Sequence, residues 1–377
     1  MALTLVLLVV LIALAFEYIN GFHDTANSIA TVVATKVLSP GQAVLLAAST
    51  NLVGALFGTA VAKTIAAGLV DTQLVAVTPT VMICALLGAI IWNLITWWWG
   101  LPSSSSHALV GALCGAALAA AHNNWHAIIW AQGGAHWWGD KGVIPKVVVP
   151  MVASPVAGFI IGLLVMGLLF SLIDFLGSRQ GLLRRLGRTP FVNAFFGKAQ
   201  LASAATMGLS HGMNDAQKTM GIIALALASA TTAGTFDDIP AWLHFLRMED
   251  QAGGKFEIAI WIKVLCATVM AAGTAAGGWR IIKTLGHKLV RLHPINGFAA
   301  ESASASVILA CSHFGIPVST THNISAAILG VGVAKRANAV RWSIVERMVW
   351  AWILTLPVTA GIAWALVRLA HALDLPV

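Results

Sequence analysis

The sequence predicts an all-α polytopic membrane protein: two inverted five-segment repeats with broken helices or re-entrant hairpins, about 10–12 membrane helices in all. Three observations carry that expectation. The 377 residues are 58% hydrophobic and only 10% charged, with a mean hydropathy of +0.85; an average soluble domain is about 25% charged. Long apolar runs recur along the chain, and about 20 such residues match the hydrocarbon thickness of a bilayer. Finally, the same polar motifs interrupt those runs at matching places in both halves. A β-barrel would show short alternating segments instead.

The first segment, residues 3–38, opens MALTLVLLVVLIALAFEYIN. With no basic n-region and no small-residue cleavage pattern, it reads as a retained span and not a signal peptide. The polar stretch GFHDTANS (21–28) interrupts it. Segments at 41–69, 78–99, 101–121 and 147–175 complete a first repeat over 1–175. A basic linker over 176–198, LGSRQGLLRRLGRTPFVNAFFGK, carries Arg179, Arg184, Arg185, Arg188 and Lys198. The second repeat, 199–377, has segments at 199–233 (interrupted), 256–277, 294–313, 315–334 and 344–372.

Charge sets the orientation. Loops rich in lysine and arginine stay in the cytoplasm, which places the linker there, together with Arg280, Lys283, Lys288, Arg291, Lys335, Arg336 and Arg341. The loop at 234–255, with Asp237, Asp238, Glu249 and Asp250, faces outward. Five crossings per half put both termini outside and insert the halves upside down relative to each other. The formal charge of +8 is therefore a topology signal, and no nucleic-acid partner is expected. Cys84, Cys114, Cys266 and Cys311 all lie in apolar stretches and read as packing residues.

The repeat is legible in the letters. GFHDTANS (21–28) matches GMNDAQKT (212–219), setting Asp24 against Asp215 and Ser28 against Thr219. GLPSSSSH (100–107) matches GIPVSTTH (315–322), setting Ser105 and Ser106 on Thr320 and Thr321, and His107 on His322. On a helix, residues i, i+3 and i+4 share a face, so Asp24, Asn27 and Ser28 project together, as do Asp215, Lys218 and Thr219. Each aspartate at a helix centre costs about 2.5–3.5 kcal/mol. Structural pairs, Asp215 with Lys218 or Asp24 with His23, would offset that cost, but pairing alone does not explain the duplication.

The Gly-Pro-Ser segments supply the complement. Proline breaks a helix and serine or threonine caps the next one, so each motif opens a half-helix whose first N–H groups lack partners and whose dipole end is positive. Two such ends, with their hydroxyls, make a pocket for a small oxyanion. Packing between helices is the ordinary alternative for Ser and Thr; four consecutive serines mirrored by Ser-Thr-Thr argue against it. Asp24 and Asp215 would repel a lone anion, so they bind sodium, accept a proton, or ligate a metal that travels with the anion. His107 and His322 either shuttle protons or cap the helix turn. Glu301, opposite Leu86 in the other half, and Glu17 are candidates for coupling or gating. The tryptophan-rich stretches read as interfacial belts, and His122, His126 and His136 as a surface loop before a metal site.

GFHDTANSIATVV, GLPSSSSH, SHGMNDAQKTMG and GIPVSTTH together resemble the inorganic phosphate transporter (PiT) family, its bacterial low-affinity Pit branch in particular. The resemblance spans both halves in order. It implies a secondary transporter importing phosphate into a bacterial cell across the inner membrane, with a homodimer as partner state and no cofactor. Similar bacterial proteins use protons and carry metal–phosphate complexes with a divalent ion such as Mg²⁺; other relatives use Na⁺. It further implies that Ser104, Ser105, Ser106, Ser319, Thr320, Thr321, Asn27, Ser28 and Thr219 hold phosphate. Asp24, Asp215, Asn214, His23, Lys218 and Glu301 would serve the cation or proton, and Asp24 and Asp215 a metal. The chain departs from the sodium-coupled pattern with His23 for asparagine, and with Gln217 and Lys218 for an Ala-Asn pair. That departure favours proton or metal–phosphate coupling over sodium. Sulfate or another oxyanion fits the same pocket, a channel is a further reading, and an intramembrane serine hydrolase is a remote one. No GxSxG turn or HExxH signature supports an enzyme.

Overall fold

The computed structural model describes residues 2–67, 69–71, 74–75, 77–133, 141–248 and 257–375. Its first helix, α1 (Ala2–Ala34), runs unbroken through GFHDTANS. The expected interruption is therefore absent, and the reason is packing. Residues Asn20 to Val32 are buried almost without exception, so the polar side chains meet protein, and the i→i−4 ladder has no cause to open.

The break falls in the next segment instead. Ser39 and Gln42 form a reciprocal capping box that starts α2 (Pro40–Ala55), with proline at the first turn. Gly58, at φ +81°, turns the chain into α3 (Ala60–Ala67). Thr78 caps α4 (Pro79–Trp99), which ends on Gly100 in the left-handed conformation. After the tip comes α5 (Ser105–Ala120). A π-helical turn at 144–148 leads into α6 (Val149–Ser178).

The basic linker is largely helical. It holds α7 (Leu182–Leu186) and the start of α8 (Thr189–Thr232), which begins ten residues before the expected boundary of 199 because Pro190 nucleates its first turn. At 44 residues, α8 also passes unbroken through its polar motif. The segment expected at 256–277 divides into α9 (Ile260–Ala276) and α10 (Trp279–Lys283), bent by 58° at the Gly277–Gly278 pair. The chain closes with α11 (Pro294–His313), α12 (Thr320–Lys335) and α13 (Trp342–Ala372).

Among the described residues, α1, α4, α6 and α13 are long and apolar enough to cross a bilayer, and α9 with α10 qualifies as one bent span. Val152, Val156, Ile160, Leu164, Leu168 and Leu172 form an exposed apolar stripe on α6, a surface suited to lipid. By contrast α5 and α12, at 16 residues each, reach only about 24 Å at 1.5 Å per residue. Each returns beside its predecessor, α5 on α4 and α12 on α11, as the second arm of a hairpin. The partners that cover these short arms come from the far end of the chain: α6 lies along α12, and α13 along α5. The backbones approach closely there. A Cβ at Gly330 would sit 2.1 Å from the Phe159 carbonyl oxygen, and one at Gly115 2.1 Å from that of Ala360. Such glycines let membrane helices dock through their backbones.

Candidate functional site

The two hairpin tips meet. Ser104 caps α5, its Oγ accepting from His107 N at 3.2 Å; Ser319 caps α12 identically, accepting from His322 N at 3.1 Å. The first intrahelical bonds are Ala108 N to Ser104 O and Asn323 N to Ser319 O. The amides of Ser105, Ser106, Thr320 and Thr321 thus precede both ladders and point outward from the helix ends. The expectation that His107 and His322 cap these turns is corrected, since the serines already do so. The imidazoles instead face each other at 4.9 Å between centroids, and His322 stacks on Trp352 at 4.2 Å.

The middles of α1 and α8 close the pocket. Asn27 Nδ2 donates to Thr320 Oγ1 (3.1 Å) and Thr321 Oγ1 (2.9 Å) on the second tip. Thr321 Oγ1 donates to Asp24 Oδ1 (3.2 Å), and Thr320 Oγ1 to Asp215 Oδ2 (3.1 Å). Lys218 Nζ donates to Asp215, to Ser106 Oγ of the first tip, and to Val318 O at 3.0 Å. One ammonium thereby ties both tips to α8. The structural pairs anticipated from sequence do form, Asp215 with Lys218 and Asp24 with His23 (2.7 Å). They form inside a shared cluster, however, and not as separate staples.

This cluster is sealed: Asp24, Asn27, Asp215 and Lys218 are all 3% exposed or less. Two carboxylates and one ammonium leave one net negative charge while the histidines are neutral. Ser28 and Ser105 hydroxyls, both buried, have no protein partner among the described residues. A buried hydroxyl left unmatched is costly, so both keep an unused donor inside the protein.

Some expected residues stand apart. Thr219 donates its hydroxyl to Glu17 of α1 and so is already engaged. Asn214 Nδ2 donates to Ser312 Oγ at 2.9 Å. Glu301 accepts from Thr31, Ser203 and Gln200, with no cation beside it. Glu17 and Thr31 each lie seven residues from Asp24 along α1, about 10 Å. Glu17, and Glu301 through its bond to Thr31, are thus two buried acids about 10 Å from Asp24 on either side along α1. On the surface, His122 lies beside His371 at 5.9 Å, while His136, Glu249 and Asp250 lie outside the described residues.

Several partners were not foreseen. His211 Nε2 lies 3.1 Å from Asp215 Oδ2, and its Nδ1 3.3 Å from Asn51 Oδ1. Its signal was in plain sight, four residues before Asp215 and so on the same helix face. Asp24, His211 and Asp215 each offer a ligand atom, and these lie within 4.8 Å of one another. Among the described residues this is the trio able to hold a metal ion. On the opposite side, His23 Nε2 lies 3.1 Å from Thr96 Oγ1, which accepts from Ser103 at 2.8 Å.

Residues 20–363 match the model of the phosphate transporter family. The chain is 42% identical to a probable low-affinity inorganic phosphate transporter of Bacillus subtilis, over 95% of each chain. It is 41% identical to another so described from Rhizobium meliloti, over 96% of each. A similarly described protein of Mycobacterium tuberculosis is 43% identical over 96% of this chain and 76% of its own length. Among solved structures, a sodium-dependent phosphate transporter shares the fold with a TM-score of 0.76 at 23% identity, covering 98% of this chain and 99% of the other.

Proposed function

The chain belongs to the phosphate transporter family, and from that premise we propose that it imports inorganic phosphate by secondary active transport, with protons or as a metal–phosphate complex, and without sodium. Family membership makes it a multi-pass membrane protein that handles phosphate. The single observation that carries the finer reading is the bridge made by Lys218, which joins Asp215 to both hairpin tips. A fixed ammonium occupies the place beside the aspartate where a mobile cation would otherwise be needed.

Charge counting then limits the cargo. With one net negative charge in a sealed pocket, a phosphate monoanion cannot enter alone at tolerable cost. Two protons taken up by the cluster together with the phosphate would turn it to one net positive charge and neutralise the complex. Alternatively, a divalent ion on Asp24, His211 and Asp215 would bring in its own phosphate. Phosphate oxygens would then be held by the outward amides of the two short arms and by Ser28, Ser105 and Ser106, with Thr320 and Thr321 joining once their hydroxyl protons turn from Asp215 and Asp24 to the anion.

The two-repeat organisation is part of the same proposal. Its support is reciprocity of packing: α1 rests on α9 as α2 rests on α8, and α6 on α12 as α13 on α5. An inverted relation between repeats is the arrangement that lets one hairpin open while the other closes.

The test is phosphate uptake into proteoliposomes with pH, sodium and magnesium varied independently. Uptake should respond to a pH gradient or to magnesium and be indifferent to sodium. Uptake that needs sodium and ignores pH and magnesium overturns the reading.

A further inference from the structure

A second feature of the molecule lies outside this pocket. Where α1 ends, a cavity of about 570 Å³ opens between three separated pieces of chain: Ala34–Lys36, Gly286–His293 and Ala339–Arg341. Lys36, His287, Lys288, Arg291 and Arg341 line it, and no carboxylate does. The positive-inside rule accounts for bases on this side of the membrane, but not for their convergence on one concave surface. The ion pairs His23–Asp24, His211–Asp215 and Lys218–Asp215 all lie in the central cluster, and none of them involves these five residues.

Two details add to this. Lys36 sits at φ +60°, a left-handed position that an L-residue with a long side chain adopts at a cost of about 1 kcal/mol. A glycine or asparagine would fill that position with less strain. His293, also lining the cavity, accepts from the Asn296 backbone as the cap of α11. Burial, then Lys335 and Arg291, hold its ring below the ordinary histidine range.

We propose that this cavity is a second anion site, for a phosphate group carrying more than one charge. The group could be free inorganic phosphate or the headgroup of an anionic lipid, which present the same oxygens to the same cations. From Ala34 back to Asp24 is ten residues of continuous helix, about 15 Å. The cavity is thus a staging place at the aqueous end of the helix that carries the transport site. Four lysine and arginine cations around one hollow, Lys36, Lys288, Arg291 and Arg341, raise the local concentration of phosphate there, an effect that salt weakens. This role rests on the phosphate-transport reading above, but its test does not.

The experiment is equilibrium binding of radiolabelled inorganic phosphate to the full chain in nanodiscs of phosphatidylcholine, at low ionic strength. Three proteins are compared: wild type, Lys288→Gln/Arg291→Gln/Arg341→Gln, and Ser105→Ala/Thr320→Ala. Wild type should bind two phosphates per chain, the triple variant one, and the hairpin variant should keep the salt-sensitive one. Native mass spectrometry in discs containing phosphatidylglycerol separates the sources. A lipid retained by wild type and lost from the triple variant, with loss of the second phosphate, assigns the hollow to a headgroup. Equal phosphate stoichiometry and equal lipid retention in wild type and triple variant would overturn the proposal. Arg341→Gln alone, checked by thermal melting, guards against a folding defect. A hairpin variant that binds like wild type would instead count against the transport pocket and leave the cavity result standing.

Discussion

Lys218→Asn is the most discriminating substitution. The ammonium is 3% exposed and is shared by Asp215, Ser106 and the Val318 carbonyl. Removing one partner of a buried pair costs about 3–5 kcal/mol, because the other charge is left uncompensated. His211 remains 3.1 Å from Asp215 Oδ2 and takes up part of that loss, so the lower bound of about 3 kcal/mol applies. At ~1.4 kcal/mol per decade, this is about a hundredfold loss of uptake when no other cation is present. Asparagine also supplies an oxygen where the ammonium stood, and sodium can then fill the gap. The assay is phosphate uptake by reconstituted protein in choline and in sodium media. Wild type should be equal in both; the variant should fall about a hundredfold in choline and recover at least about tenfold in sodium. A well-folded variant that transports like wild type in choline, or gains nothing from sodium, would refute the idea that Lys218 stands in for a coupling cation.

Other outcomes follow from the same geometry. On the proposed reading Ser105→Ala and Thr320→Ala would each remove one hydrogen bond to the anion, worth about 1–3 kcal/mol, so each should raise the uptake KM several-fold or more; wild-type values in both would misplace the pocket. His211→Gln should abolish magnesium stimulation of uptake while leaving a proton-driven component, and a magnesium response equal to wild type would remove His211 from the ligand set. Labelled phosphate should be displaced by unlabelled phosphate and not by sulfate, and equal competition would favour a general oxyanion carrier. Gly330→Ala puts a methyl 2.1 Å from the Phe159 carbonyl oxygen, so the detergent-solubilised protein should melt earlier by the equivalent of about 1–3 kcal/mol; an unchanged melting point would show that α6 and α12 separate freely.

Much of this architecture was readable in the letters. The segment expected at 78–99 is α4 at Pro79–Trp99, and that expected at 294–313 is α11 with the same bounds. Hydropathy sees such helices because their composition is uniform along the length. It misjudged α1 and α8, where polar motifs mimic an interruption although neither contains proline at the motif. Continuity there depends on burial of the polar face, a tertiary fact. The true breaks, at Gly58 and at Gly277–Gly278, rest on backbone freedom that hydropathy does not weigh. The meeting of GLPSSSSH and GIPVSTTH was inferable from their repetition and from the chemistry of helix ends. The reach of Glu17 to Thr219, and of Glu301 to Thr31 and Ser203, was not, because those contacts span 202, 270 and 98 positions.

The exchange of outer helices also bears on how the molecule comes to exist. The arm that begins at Ser105 acquires its companion only when Trp342–Ala372 has left the ribosome. Until then its small-residue face is without its neighbour, and the opposing tip is still being synthesised. Before that point the arm has α4 beside it but not its second companion. A chain truncated before position 342 should therefore be less stable in detergent than the full chain, and equal melting of the two would show that α13 adds nothing to the packing of α5.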